Sequence, residues 1–92
     1  MNKSDLIQRI GEELDLPRVT SETYLNAVLN QISKALAAGE SVVLPGFGAF
    51  EVRERSARTG RNPQTGAAIE IAAAKAPAFK PGAALKKAVA GV

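Results

Sequence analysis

The chain has 92 residues, with twelve Lys and Arg against nine Asp and Glu, one tyrosine, three phenylalanines, and no cysteine or histidine. A chain of this length makes one small domain that buries only about 60% of its unfolded surface, so its core is marginal unless it pairs with something. The missing cysteine excludes disulfide staples, thiolate metal sites and thiol nucleophiles, and the missing histidine removes the commonest general base and metal ligand. The formal charge of +3 is unevenly spread. Residues 1–46 hold four basic and six acidic side chains, a net of −2, and residues 47–92 hold eight basic and three acidic, a net of +5. A basic half on a small protein points to an anionic partner, nucleic acid or membrane lipid. Apolar runs such as Ala72-Ala73-Ala74 are far too short to span a bilayer, and the start lacks an unbroken hydrophobic segment. The expectation is a soluble intracellular protein without targeting signal or membrane partner.

Leu6, Ile7, Ile10 and Leu14 recur at helical spacing and predict an amphipathic helix over residues 3–14. Asn2 is its expected N-cap, and Asp5 suits the positive end of the helix dipole. Gly11 weakens the helix by roughly 1 kcal/mol relative to alanine, so packing must hold it. Asp15-Leu16-Pro17 breaks the pattern, and a second helix is expected from near Pro17 or from Thr20-Ser21 to about Ala38, stopping at Gly39. Its apolar face, Leu25, Val28, Leu29, Ile32, Ala35 and Leu36, is too broad for one short helix to cover, which suggests burial on two sides or across a dimer.

The period then changes. Ser41–Leu44 is a short strand candidate ended by Pro45-Gly46, and Phe47–Val52 reads as extended chain continuing to about Thr59. Residues 53–66 carry four arginines, one glutamate and no large apolar side chain, with two Thr-Gly pairs flanking Arg61-Asn62-Pro63-Gln64. That is a strong turn signal. Ile69 and Ile71 alternate with Glu70 and Ala72 as a returning strand, a further strand is expected near 75–80, and a last helix over 83–90 is expected to face Leu85 and Val89 inward and Lys86-Lys87 outward. The predicted order is α-α-β-β-β-α, an α+β fold with a long basic hairpin.

Catalysis has little to work with. Glu12, Glu13 and Asp15 are expected to be a solvated helix end, and Gly46-Phe47-Gly48 lacks the spacing and the Lys-Ser/Thr of a phosphate loop. No enzyme activity, metal or cofactor is expected. The basic hairpin is the informative feature. An arm from Arg53 out to Pro63 and back to Ile71 reaches on the order of 33 Å at ~3.3 Å per residue. Arginine offers planar bidentate donors to phosphate and enters narrow grooves where the potential is most negative. The alternative is a charged hairpin that merely discourages edge pairing. At the tip, the residues alone favour a plain turn for Asn62-Pro63 over a wedge between base pairs.

Gly46-Phe47-Gly48-Ala49-Phe50, Ala57 through Gly66, and Ala72-Ala73-Ala74-Lys75 with Phe79 closely resemble the HU/IHF family of bacterial nucleoid proteins, and the resemblance runs from Asn2-Lys3-Ser4-Asp5-Leu6-Ile7 through essentially the whole chain. It implies an intertwined dimer: two N-terminal helices and a short C-terminal helix with a three-stranded antiparallel sheet extended into a long β-hairpin arm. Residues 1–92 would be one domain, with 1–40 the helical dimerisation part, 41–82 the sheet carrying the arm 53–71, and 83–92 the C-terminal helix. The implied role is a histone-like architectural protein of the bacterial cytoplasm and nucleoid. It would bind double-stranded DNA through the minor groove with little sequence specificity and bend or compact it.

Residue by residue, the resemblance implies that Arg53, Arg55, Arg58 and Arg61 line the arm and meet backbone and groove. Pro63 becomes an intercalating wedge, surrounded by Asn62, Gln64 and Thr65, which reverses the preference for the plain turn. Lys3, Lys75, Lys80 and Lys86 are implied phosphate contacts on the flanks. Leu29, Ile32, Leu36, Leu44, Phe47, Phe50 and Phe79 are implied as dimer core. Ala67 and Ala83 stand where relatives often carry lysine, Pro81 replaces a more permissive residue, and Pro17 is an unusual start for the second helix. Fewer flank cations imply a shallower salt dependence. Open alternatives are an IHF-like subunit that binds specific DNA sites, a heterodimer with a paralogue in place of a homodimer, and an RNA- or protein-binding module using the same hairpin.

Overall fold

Helix α1 (Lys3–Leu14) opens on a reciprocal cap: the Asn2 side chain accepts from the Asp5 N–H at 2.9 Å, and the Asp5 carboxylate accepts from the Asn2 N–H at 3.1 Å. Two amides that would otherwise lack partners are thereby satisfied. The helix closes at Asp15, whose backbone lies in the left-handed region (φ 54°, ψ 51°), with the Leu16 N–H donating to Gly11 O at 2.9 Å. Helix α2 (Arg18–Ala37) follows at once, so Pro17 sits immediately before the helix instead of inside it. Its Ser21 is fully buried and donates its hydroxyl to Pro17 O at 3.1 Å. A Cβ on Gly11 would lie 3.0 Å from both Ser21 Oγ and Leu16 O. The helix penalty of Gly11 is therefore the condition for α2 to approach α1. Gly39 turns the chain out of α2 with φ 83°, and the Glu40 N–H donates back to Ala35 O.

The computed structural model describes residues 1–91, without the side chains of Arg58 and Ile71. Val92, at the end of the expected helical segment 83–92, lies outside the described residues. The chain sorts into two units, Met1–Lys34 and a second that begins at Ala35.

In the second unit, strands β1 (Val42–Leu44), β2 (Gly48–Arg55) and β5 (Ala74–Pro81) form an antiparallel sheet in the order β1-β2-β5. Strands β3 (Arg58–Arg61) and β4 (Ala68–Ile71) form a separate two-stranded ribbon, and α3 (Ala83–Ala90) ends the chain. The sheet is three-stranded and antiparallel as expected, but the hairpin is not one continuous ladder. Pairing stops at Arg55↔Ala74 and resumes at Arg58↔Ile71, skipping Ser56-Ala57 and Ala72-Ala73. Small side chains at the skipped positions offer little cross-strand contact to hold a two-stranded ribbon together. Pro77 and Pro81 lie on β5, an edge of the sheet, where a missing N–H costs no ladder bond.

Register divides the sheet into two unlike faces, because residues directly opposite in an antiparallel pair share a face. Val42, Leu44, Phe50 and Val52 lie with Pro77 and Phe79 on an apolar face. Phe79 touches both other phenylalanines, with ring centroids 4.9 Å from Phe50 and 5.5 Å from Phe47. Gly48 makes room for this cluster: a Cβ there would meet Lys80 O at 2.6 Å and the Phe79 ring at 2.7 Å. Yet Phe47 and Phe79 remain 47% and 40% exposed, and Ile7 is the one buried large apolar residue among those described. Val89 corrects the sequence reading. Expected to face inward with Leu85, it is 82% exposed in the last turn of α3, while Leu85 is half-buried.

Two substitutions test these local arguments by denaturant unfolding. Gly48→Ala is expected to destabilise by about 1–3 kcal/mol, because backbone and ring must both shift. Asp15→Gly is expected to stabilise by about 0.5–1 kcal/mol, the relief of a left-handed residue less the entropy glycine brings.

Candidate nucleic-acid interface

The face of the sheet opposite the phenylalanines carries Ala49, Glu51, Arg53 and Arg55 on β2, facing Lys80, Ala78, Ala76 and Ala74 on β5. Three cations thus border a floor of alanines. Arg53 and Arg55 share this face because they are two residues apart, and no large side chain stands between them and an approaching polyanion. Glu51 lies among the cations, with Oε1 3.8 Å from Lys80 Nζ and accepting no hydrogen bond.

Lys75 and Lys80, grouped together by the sequence reading, are not on one face. Lys75 pairs across the ladder with Glu54 on the apolar side, at 3.7 Å between Nζ and Oε1. Both members of that pair are largely exposed, so the interaction is weak and readily exchanged for another anion. The odd separation of 75 and 80 within one strand was the available sign that they diverge. The partnership with Glu51 and Glu54 needed the register. Lys3, in the first turn of α1, and Lys86, in α3, are both exposed and belong to different units.

Beyond the skipped residues, Thr59 and Arg61 share a face of the distal ribbon with Glu70 and Ala68, while Gly60 pairs with Ile69 on the other. Arg58 pairs in register with Ile71, and its side chain lies outside the described groups. Glu70 was read only as part of a strand pattern. The structure places it directly across from Thr59, on the same face of the ribbon as Arg61.

The tip is a closed loop. The Asn62 N–H donates to Ala67 O at 2.9 Å, and the Gly66 N–H donates to Asn62 O at 2.7 Å, with Gly66 at φ 71°. Inside it, Asn62 Oδ1 accepts from the Gln64 N–H at 2.9 Å and Thr65 Oγ1 accepts from the Ala67 N–H at 3.3 Å. Pro63 sits in this turn and is exposed. The turn and the wedge are therefore compatible readings, since the turn is what presents the ring.

A cleft of about 300 Å³ lies where the ladder is skipped, lined by Glu54, Arg55, Ser56, Ala73, Ala74 and Lys75. Within it, no hydrogen bond among the described residues joins the Ser56 hydroxyl to Glu54 or Lys75. Among the described residues no cluster of acids could hold a metal ion, and no helix is long and apolar enough to cross a membrane.

The family model described as bacterial DNA-binding protein matches residues 1–90. The DNA-binding protein HU-beta of Pseudomonas aeruginosa is 58% identical over 89 residues, covering 97% of this chain and 99% of the relative. The DNA-binding protein HU of Streptococcus pyogenes is 59% identical over 88 residues, covering 96% and 97% respectively. Among solved structures, HU of Anabaena in a cocrystal with DNA superposes with a TM-score of 0.89 at 40% identity, covering all of both chains. HU of Thermotoga maritima gives 0.68 at 32% identity, over 97% of this chain and 98% of that one. With an exposed proline at the end of an arginine-bearing ribbon and full-length similarity of this order, the chain belongs to the bacterial DNA-binding protein family to which HU belongs.

Proposed function

We propose that this chain is a nucleoid architectural protein that pairs with a second copy of itself, embraces duplex DNA with two arms through the minor groove, and bends it. The observation that carries the proposal is the arm. An arginine ribbon ends in a hydrogen-bonded loop with Pro63 exposed, in a chain that superposes on a relative crystallised with DNA. Arg53 and Arg55 share one face of the sheet, and Arg58 and Arg61, at register positions of opposite face in the distal ribbon, are the arm's further contacts to backbone and groove. Lys80 borders the same face of the sheet as Arg53 and Arg55. Lys3, Lys75 and Lys86 complete the set as phosphate contacts outside that face. Guanidinium-to-phosphate contacts fix position without reading sequence, so site preference follows the ease of kinking. Pro63 supplies the kink by wedging between base pairs. The work is done in the bacterial cytoplasm, on the nucleoid.

Pairing is supported by the apolar surface that one chain leaves open. Leu29 and Leu44 are exposed beyond a third of their surface, as are Phe47 and Phe79, and Ile32, Leu36 and Phe50 are only half-buried. A second copy placed over these residues, including the apolar face of the sheet, leaves the cationic face free for DNA. One face makes the dimer and the other meets the nucleic acid.

Sedimentation of the purified chain is expected to give a dimer that binds duplex DNA without another subunit. A monomer, or a dimer that binds only with a second protein, would instead indicate a heterodimer subunit. Pro63→Ala is expected to lower the bend angle, read by fluorescence transfer between duplex ends, while affinity falls less than about tenfold. An unchanged bend would remove the wedge. Equal competition by a fully paired RNA duplex would argue for a different ligand, because the A-form minor groove is wide and shallow.

A further inference from the structure

The four tip residues Asn62, Pro63, Gln64 and Thr65 do not have equivalent opportunities to touch a ligand. The Asn62 side-chain oxygen is committed to the Gln64 N–H, and the Thr65 hydroxyl oxygen to the Ala67 N–H. Each bond spans two residues, which is the geometry by which a short polar side chain substitutes for backbone in a turn. The Asn62 bond also straddles Pro63, so it fixes the backbone on the far side of the ring whose own φ is already fixed. The Gln64 side chain makes no hydrogen bond among the described residues and is exposed beside that ring. Its amide keeps both donor and acceptor free, whereas Asn62 keeps only its Nδ2 donors and the Thr65 oxygen already accepts.

We propose that Asn62 and Thr65 are positioning residues that hold the Pro63 ring in its presenting orientation, and that Gln64 senses base identity in the minor groove beside the wedge. This rests on the reading of Pro63 as an intercalating residue. A minor groove offers acceptors at A·T pairs and adds the guanine N2 amino group at G·C pairs. An amide held one residue from the wedge meets that amino group, or its absence, at the base pairs flanking the kinked step. The preference of an otherwise phosphate-driven protein then includes a small direct component at the kink, separate from the cost of deforming the duplex.

The test uses the full-length protein on duplexes with one flexible step flanked by either G·C or inosine·C pairs, which differ in the minor groove by the N2 amino group alone. Wild-type protein is expected to separate the two by about fivefold in affinity, and Gln64→Ala to reduce that ratio to near one with the bend retained. Asn62→Ala is expected to lose bend at saturating protein. Asn62→Asp keeps the acceptor oxygen, and should keep the bend while binding several-fold more weakly through its added negative charge. Equal wild-type affinities for the two duplexes, or a ratio unchanged in Gln64→Ala, would overturn the role of Gln64. A wild-type bend in Asn62→Ala, or an Asn62→Asp protein that bends no better than it, would overturn the role of Asn62. Failure of the underlying wedge is distinguished by Pro63→Ala, which would then leave the bend of the wild-type protein unchanged.

Discussion

Burial is the constraint on which the rest of this molecule depends. Each chain folds its secondary structure with well-made ends, the reciprocal cap of α1 and the glycine exit of α2 among them, yet leaves most of its large apolar side chains in contact with water. The phenylalanine cluster illustrates the point. Two rings gather around Phe79 tightly enough that a Cβ on Gly48 has no room, and two of the three rings remain exposed beyond a third of their surface. On the proposed reading, a cluster so specific in shape and so incompletely covered is half of an interface. The hydrophobic effect acts on the exposed area wherever the covering atoms come from, so the missing half belongs to a second chain on the proposed reading. Fold stability and assembly are then one equilibrium, and apparent stability rises with protein concentration.

Alternation in a sheet lets the same strands serve assembly and recognition. On β2, Phe50 and Val52 turn one way and Glu51, Arg53 and Arg55 the other, alternating residue by residue. The apolar face does not have to be traded against the charged one, because the period of two keeps them apart. Alanines at 74, 76 and 78 keep the charged face low on β5, and Lys80 supplies its cation at the strand's end. The two carboxylates nearby, Glu51 and Glu54, hold Lys80 and Lys75 in the free protein. On the proposed mode of binding, phosphates at those lysines exchange one anionic partner for another, in place of displacing only loose ions.

Much of this was legible in the residues. Apolar spacing and Asn2 gave α1 its bounds, Gly39 marked the region where α2 ends, and Pro81-Gly82 marked the start of α3. The arm announced itself by four arginines, the absence of large apolar side chains and the Asn62-Pro63 turn. What could not be read was register, because it is set by which strand residues meet across space. Hence Lys75 and Lys80 were grouped although they lie on opposite faces, and the pairing of Glu54 with Lys75 was missed. Nor could composition show that Asn62 and Thr65 are hydrogen-bonded within the loop, since free and committed polar side chains look alike in a sequence. Val89 failed for a different reason: helical spacing assigns a face, but an eight-residue helix near the chain's end need not have anything to pack that face against.

The ladder of the hairpin skips two residues on each side, Ser56-Ala57 and Ala72-Ala73, between the sheet and the distal ribbon. In mechanical terms the arm is two short beams with a joint, not one long cantilever. A cantilever could hold a bent duplex by its own stiffness, transmitting torque from tip to body. A jointed arm transmits tension far better than torque. On the proposed mode of binding, a bend must therefore be maintained by what the two ends grip, the wedge at Pro63 and the phosphates at the sheet, with the ribbon between them acting as a tether. On the same proposed mode, the joint lets the arm follow duplexes of different intrinsic curvature without refolding the body.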